Sequence, residues 1–354
     1  MASENNVFYI NYSRLNPTRK ALYSELLSGI NQTSKKIYVK TKCRYEDVSC
    51  SLRAIKNDHP EIFWLTWESQ VWTRGDYVES VEITYNALAA RLSYYKSLFQ
   101  KAVDSYLKPL EGKSPLEKER LIHDKMVKTI SYVYGKYDQT AYSALVEKQS
   151  VCAGYSRGFQ YLMQRIGLPC YVCSGEGKSK KTGKWESHSW NIIKLGADYY
   201  NVDVTWDDCY GNSTGNISYT YFNCTDSEIS SNHVRWKEYL FLPSCKGTRY
   251  SFENIFGVNP NYQLILQDGL TCRTVINSKS EFIRLFTPSV RKTKKGTIKM
   301  SFPTESRNVT EHILDWVKEG VRSVYGQTVG WSANSDSTDY RNGWYRVEFV
   351  LTFK

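Results

Sequence analysis

Three side chains in this chain have the types and order needed for chemistry at a carbonyl. Cys152 stands in QSVCAGYSRGFQYLMQRIG, His188 in WESHSWNIIKL and Asp203 in YYNVDVTWDD. A thiol, an imidazole and a carboxylate make up the inventory for thiolate-based acyl transfer. The carboxylate fixes one ring nitrogen, the other nitrogen takes the thiol proton, and the sulfur attacks the carbonyl. Each residue alone has a plainer reading: a free cysteine is commonly buried and inert, a histidine ends a strand, an aspartate sits in a turn. The three in this order, each at the edge of a predicted element, favour the active-site reading.

The elements follow from periodicity. Tyr155, Phe159, Leu162, Met163 and Ile166 form one apolar stripe at helical spacing, and Gly167 and Pro169 stop it. Cys152 therefore falls at a helix N-terminus, where free N–H groups and the helix dipole favour an anion such as a thiolate. Ala153 and Gly154 leave room for a substrate backbone, and the same amides are placed to donate to an oxyanion. Residues 189–195 and 199–204 read as two strands joined by a turn at 196–198. His188 then opens the first strand and Asp203 sits late in the second, so antiparallel pairing would bring them side by side.

The segments VCAGYSRGFQYLMQRIGLPCYVCSG, HSWNIIKL and YYNVDVTWDD resemble the transglutaminase-like superfamily, papain-related cysteine enzymes of circularly rearranged topology. Upstream LIHDKMVKTISYVYGKYDQTAYSALVEKQ and downstream YTYFNCTDSEISSNHVRW are similar to the flanking stretches of bacterial members, so the resemblance spans about residues 110–240. It implies a Cys152–His188–Asp203 triad in an α+β, papain-like core, with the catalytic cysteine at a helix N-terminus packed on an antiparallel sheet. It leaves the substrate open, because the superfamily holds crosslinkers, peptidases, deamidases, glycan-releasing amidases and inactive members. The glycan-releasing branch carries paired CxxC zinc sites. Here there is one CxxC, Cys170 to Cys173, with no second pair at zinc-finger spacing, which counts against that branch and against a structural zinc. For the side chain that completes the oxyanion hole, Tyr142 and Gln149 are the candidates.

The expected function is a cysteine enzyme acting on a peptide or carboxamide carbonyl through a thioester, with hydrolysis favoured. A protein-glutamine transamidase and an inert binding or scaffold protein are the alternatives. No cofactor and no metal are expected, and no Asp/Asn-rich loop has calcium-ligand spacing. His123, beside Asp124, is a rival base, but it lacks a strand context and reads as a core or surface histidine.

With 41% hydrophobic and 23% charged residues over 354 positions, the composition is that of a globular protein with two or three domains. No apolar run reaches the roughly 18 residues of a membrane span. The net charge of +11 includes a local concentration at Lys178, Lys180, Lys181, Lys184, Arg291, Lys292, Lys294 and Lys295. Solvated loops explain it; attraction to an acidic cell-surface polymer is the functional reading. Nucleic-acid motifs are absent. Aromatics at 14%, with 28 tyrosines, read as an aromatic core with tyrosines at its rim. The N-terminus shows no leader; an extracellular or cell-envelope location is nevertheless the expectation, with the cytoplasm the alternative. Nine cysteines leave one reactive thiol and up to four pairs, or nine thiols.

Around the core, 109–244, two small α/β modules are expected, 1–108 and 245–354. The first has a helix over 14–30 started by Asn16 and Pro17, a strand over 36–41, a helix over 46–57, strands at 60–65 and 79–85, and a helix over 88–107. The core opens at Ser114 with a capping box to Glu117. The second reads β-α-β-α-β over 272–276, 278–286, 297–302, 309–325 and 345–353, a ferredoxin-like pattern. Both read as docking or stabilising elements. The Lys-rich loop 176–185 before His188 is a candidate lid.

Overall fold

The computed structural model describes residues 5–179, 182–208, 217–263, 273–293, 295–326, 330–339 and 343–353. A four-stranded antiparallel sheet carries the site. Its strands lie in the order Asp198–Val202, Trp185–Leu195, Cys170–Lys178 and His233–Arg235. The helix Cys152–Arg165 packs against one face, burying Tyr155, Phe159, Leu162 and Met163, the residues its periodicity selects. Alternation along the strand Trp185–Leu195 sends Ile193 and Leu195 to the helix side and Trp190 and Ile192 to a second apolar cluster on the other face. The long apolar run is thus a strand covered on both sides. Asn191 tethers helix to sheet: its buried Nδ2 donates to the Ser156 carbonyl at 2.9 Å.

The N-terminal elements build one wall of the same unit. Asn16 accepts from the Arg19 amide and opens the helix Pro17–Asn31, and the helix Tyr45–Asp58 lies against it. A three-stranded antiparallel sheet follows, in the order Lys36–Tyr38, Tyr77–Tyr85, Leu65–Arg74. The expected strand at 60–65 is displaced: Ile62, Phe63 and Trp64 are buried but lie before the strand, which starts at Leu65. They look strand-like in sequence because an apolar plug and a buried strand have the same composition. One continuous apolar cluster runs from Leu22 to Val258 and joins these elements to the nucleophile helix. The Ser114–Glu117 capping box opens the helix Pro115–Thr129 as expected.

Beyond residue 273 a separate apolar cluster gathers Phe282, Phe286, Val317, Phe349 and their neighbours. The expected strand at 272–276 is, within the described residues, a single bridge from Thr274 to Ser218. Instead, Trp331–Asp339 supplies a strand that the sequence reading lacks. It pairs with Tyr345–Phe353, which also pairs with Gly296–Thr304, and the helices Lys279–Lys292 and Arg307–Tyr325 pack together. The order is therefore α-β-α-β-β rather than β-α-β-α-β. No helix among the described residues is long and apolar enough to cross a membrane.

Candidate active site

Cys152 is the first residue of the helix Cys152–Arg165, and no side chain caps that helix. The loop before it is fixed: the Asp138 carbonyl accepts from both Ser150 Oγ (2.5 Å) and the Val151 amide (3.1 Å). Gly154, one turn in, is packed so tightly that a Cβ there would stand 1.9 Å from Ser150 Oγ and 2.5 Å from the Asp138 carbonyl oxygen. The first turn thus sits directly on the supporting loop, and its leading amides face a cleft of about 680 Å³ lined by Cys152, Ala153 and His188.

His188 and Asp203 meet, by a different route from the one their hairpin suggests. The strand is longer than expected and holds His188 inside it, opposite Gly175. The second strand ends at Val202, and Asp203 caps the short helix Val204–Asp207, with Oδ1 accepting from the Thr205 and Trp206 amides at 3.1 Å each. The pairing Asn191 to Val202 puts His188 and Asp203 out of direct register. The cap turns the carboxylate back instead, and Oδ2 accepts from His188 Nε2 at 2.7 Å. Nδ1 is left to face the sulfur, and His188 carries a hydrogen-bond interaction with Cys152. Burial works against charge on His188, but Asp203 and Cys152 outweigh it and push the imidazole up to about 10. Burial likewise opposes ionisation of Asp203, yet His188 and His233 hold its carboxyl well below the usual range.

His233, in the stretch SSNHVRW, joins the site from outside the Cys152–His188–Asp203 set. Its Nε2 donates to the same Asp203 Oδ2 at 3.1 Å, and its Nδ1 meets Asn232 Oδ1 at 2.7 Å. Trp206 covers both rings, stacked on His188 at 4.8 Å and tilted on His233 at 4.5 Å. Nothing local marks His233: it comes 30 residues after Asp203 on an edge strand of three residues. His188, Asp203 and His233 offer ligand atoms within 4.8 Å of one another. One carboxylate oxygen already accepts from both imidazoles, so the trio is a hydrogen-bonded relay that orients His188.

Of the two oxyanion candidates, Tyr142 is buried against Phe63 and Tyr95 in the core, and Gln149 is exposed on a strand paired with Ser131. Neither lines the cleft. Tyr132 does, and its phenol oxygen accepts from the Cys152 backbone amide. Only the fold brings Ser131–Tyr132 beside Gln149–Ser150, which ends two residues before Cys152.

The rival base, His123, lies in the core, fully buried. Its ring nitrogens contact Asp124 Oδ1 and Asp207 Oδ2, each at 3.1 Å. Burial disfavours its charge, but the two carboxylates outweigh that and push it up to about 9. Asp207 ends the helix that Asp203 caps, so His123 braces the site from behind. A raised imidazole stabilises the fold fully below its unfolded value of about 6.5, and that contribution is lost as pH rises through about 9. His123→Gln is expected to lower the unfolding free energy by on the order of 2–3 kcal/mol at pH 6, with the gap closing near pH 9.5. Urea unfolding at the two pH values checks this; an equal gap at both would rule out a charged His123.

Cys170 and Cys173 cannot share a metal, because on one strand they face opposite clusters. Burial pushes the Cys173 thiol up to about 12 and Cys170 well above its usual value. The seven described cysteines are all free thiols; Cys209 and Cys272 lie outside the described residues. Part of the lysine-rich loop, Lys180 and Lys181, does too, as does Lys294.

Residues 104–204, which include Cys152, His188 and Asp203, match the family model of the transglutaminase-like superfamily. Those residues resemble a transglutaminase-like core. The mixed helix and sheet architecture around it is α+β. Among solved structures, the crystal structure of a TGase is similar at a TM-score of 0.26 and 13% identity, over 48% of this chain and 50% of that one. The chain thus spans half the length of that structure. No curated protein matches it.

Proposed function

We propose that this chain is a cysteine-dependent acyl-transfer enzyme that hydrolyses a peptide or side-chain amide. The observation that carries the reading is His188, bonded through Nε2 to Asp203 and interacting on its other side with Cys152. In this scheme Nδ1 of His188 takes the thiol proton and Cys152 Sγ attacks the carbonyl carbon. The developing oxyanion is met by the Tyr132 hydroxyl, whose oxygen accepts from the Cys152 amide and which the short parallel pairing fixes beforehand. His188 returns the proton to the leaving amine or ammonia, and a thioester remains. Water, deprotonated by His188, then releases the acid and restores the thiol. Water is favoured over an amine because Cys152 is part-exposed in an open cleft.

The test is a glutamine-containing peptide library incubated with and without a primary amine and read by mass spectrometry. Mass gains of one unit, or peptide cleavage, support hydrolysis. Amine adducts that displace the hydrolytic product would make it a transamidase. No change in any peptide, with Cys152 unreactive to iodoacetamide at pH 6, would leave a binding protein and refute the enzyme reading.

A further inference from the structure

The cleft is lopsided in charge. Arg53 and Lys56 stand three residues apart on the helix Tyr45–Asp58, and Arg157 lies on the nucleophile helix; all three line the cleft with Cys152. Glu238 is the one carboxylate among its lining residues. None of the three cations is in an ion pair among the described residues. Arg157 gives one nitrogen to the Gln139 and Ala153 carbonyls, and Lys56 stands 5.7 Å from the Trp67 ring centroid. Asp138, in an adjoining depression that Lys56 and Arg157 also border, accepts from the Gly135 amide instead.

Crowding like charges in a partly desolvated wall costs free energy unless a counter-charge arrives. Burial, and then Arg157, pull the Lys56 ammonium down to about 8. Arg157 also feels Cys152 electrostatically, so the cationic wall reaches the reacting sulfur. The wall is held in place: buried Gln160, on the nucleophile helix, donates through Nε2 to the Asn57 carbonyl at 2.8 Å. A group of cations beside a nucleophile, with no carboxylate partner among the described residues, is suited to receive an anion.

We propose that Arg53, Lys56 and Arg157 form a carboxylate subsite, and that the substrate is an acidic peptide with Asp or Glu next to the amide that Cys152 attacks. The place of this subsite in a reaction rests on the acyl-transfer reading above; its ligand chemistry does not.

The experiment uses the full chain and matched peptides with Glu or Gln flanking the reporter amide. Wild type is expected to prefer the acidic member by about tenfold in kcat/KM, the range open to a few partly exposed charges acting together. The preference should shrink at high salt. It should fall to near unity in the double variant Arg53→Gln/Lys56→Gln and reverse toward Lys-flanked peptides in Arg53→Glu, a substitution at an exposed position. An unchanged ratio in variants that melt like wild type would overturn the proposal, as would a wild-type ratio of one. Fluorescence anisotropy of the same peptides on Cys152→Ala separates the two readings. Acidic preference in binding with no turnover by wild type keeps the subsite and refutes the chemistry. Turnover with no preference does the reverse.

Discussion

Cys152→Ala is expected to abolish turnover, and His188→Ala to come close to it, each with a loss of at least about 10⁴-fold in kcat. The two act as one unit: without the sulfur there is no acyl acceptor, and without the imidazole there is nothing to take the thiol proton or protonate the leaving group. The double variant should therefore be no worse than Cys152→Ala alone. Asp203 differs, because it holds two imidazoles and caps a helix. Asp203→Asn should keep part of the cap and lose orientation of His188, leaving measurable activity below wild type. Asp203→Ala would add the loss of a cap, on the order of 1 kcal/mol. Steady-state kinetics on any amide substrate found in the peptide screen decides this. Wild-type turnover by Cys152→Ala would overturn the mechanism.

The second large effect is expected where no chemistry occurs. Gly154→Ala should cost about 2–4 kcal/mol of stability and about 10²-fold or more in kcat. Its Cβ would meet Ser150 Oγ at 1.9 Å and the Asp138 and Thr140 carbonyl oxygens at 2.5 and 2.8 Å. Two of these are backbone atoms, so either the supporting loop or the first helical turn must move. Movement there carries Cys152 and its amide away from His188 and Tyr132. Gly158→Ala, one turn on, is the control. Its Cβ would find Leu145 and Ala144 side-chain carbons at 3.3–3.4 Å, and a helix-interior alanine recovers up to about 1 kcal/mol. Urea unfolding and kinetics on both variants test the contrast; equal behaviour of the two would show that the first turn is not positioned by this contact.

These sites show what a sequence exposes and what it conceals. Cys152 was legible because Tyr155 to Ile166 set a helical stripe whose start is sharply defined. His188 and Asp203 were legible through the turn between two apolar strands. The cap that bends Asp203 toward His188 was not, since Asp-Val-Thr-Trp reads equally well as a strand end. His233, Tyr132 and the Arg53–Lys56 face are joined to the site only by long-range packing, and nothing in their own neighbourhoods distinguishes them. In the C-terminal region the strand Trp331–Asp339 was missed for a physical reason. It lies at a sheet edge with most side chains exposed, so WSANSDSTD shows no apolar alternation. The plug Phe63–Trp64 misled in the opposite sense, its burial arising from tertiary packing.

The apolar cluster that begins at Ile276 shares no member with the one beneath Cys152. The two meet at a seam where Trp344 packs on Phe256 and Arg346 donates to the Gly257 carbonyl, so heat or denaturant should meet two cores coupled through that seam. A substitution at Phe282 or Phe349 would be absorbed locally, whereas one at Phe63 or Leu26, far away in the chain, would be felt at the sulfur. Tolerance to mutation is therefore partitioned by packing and not by distance along the sequence.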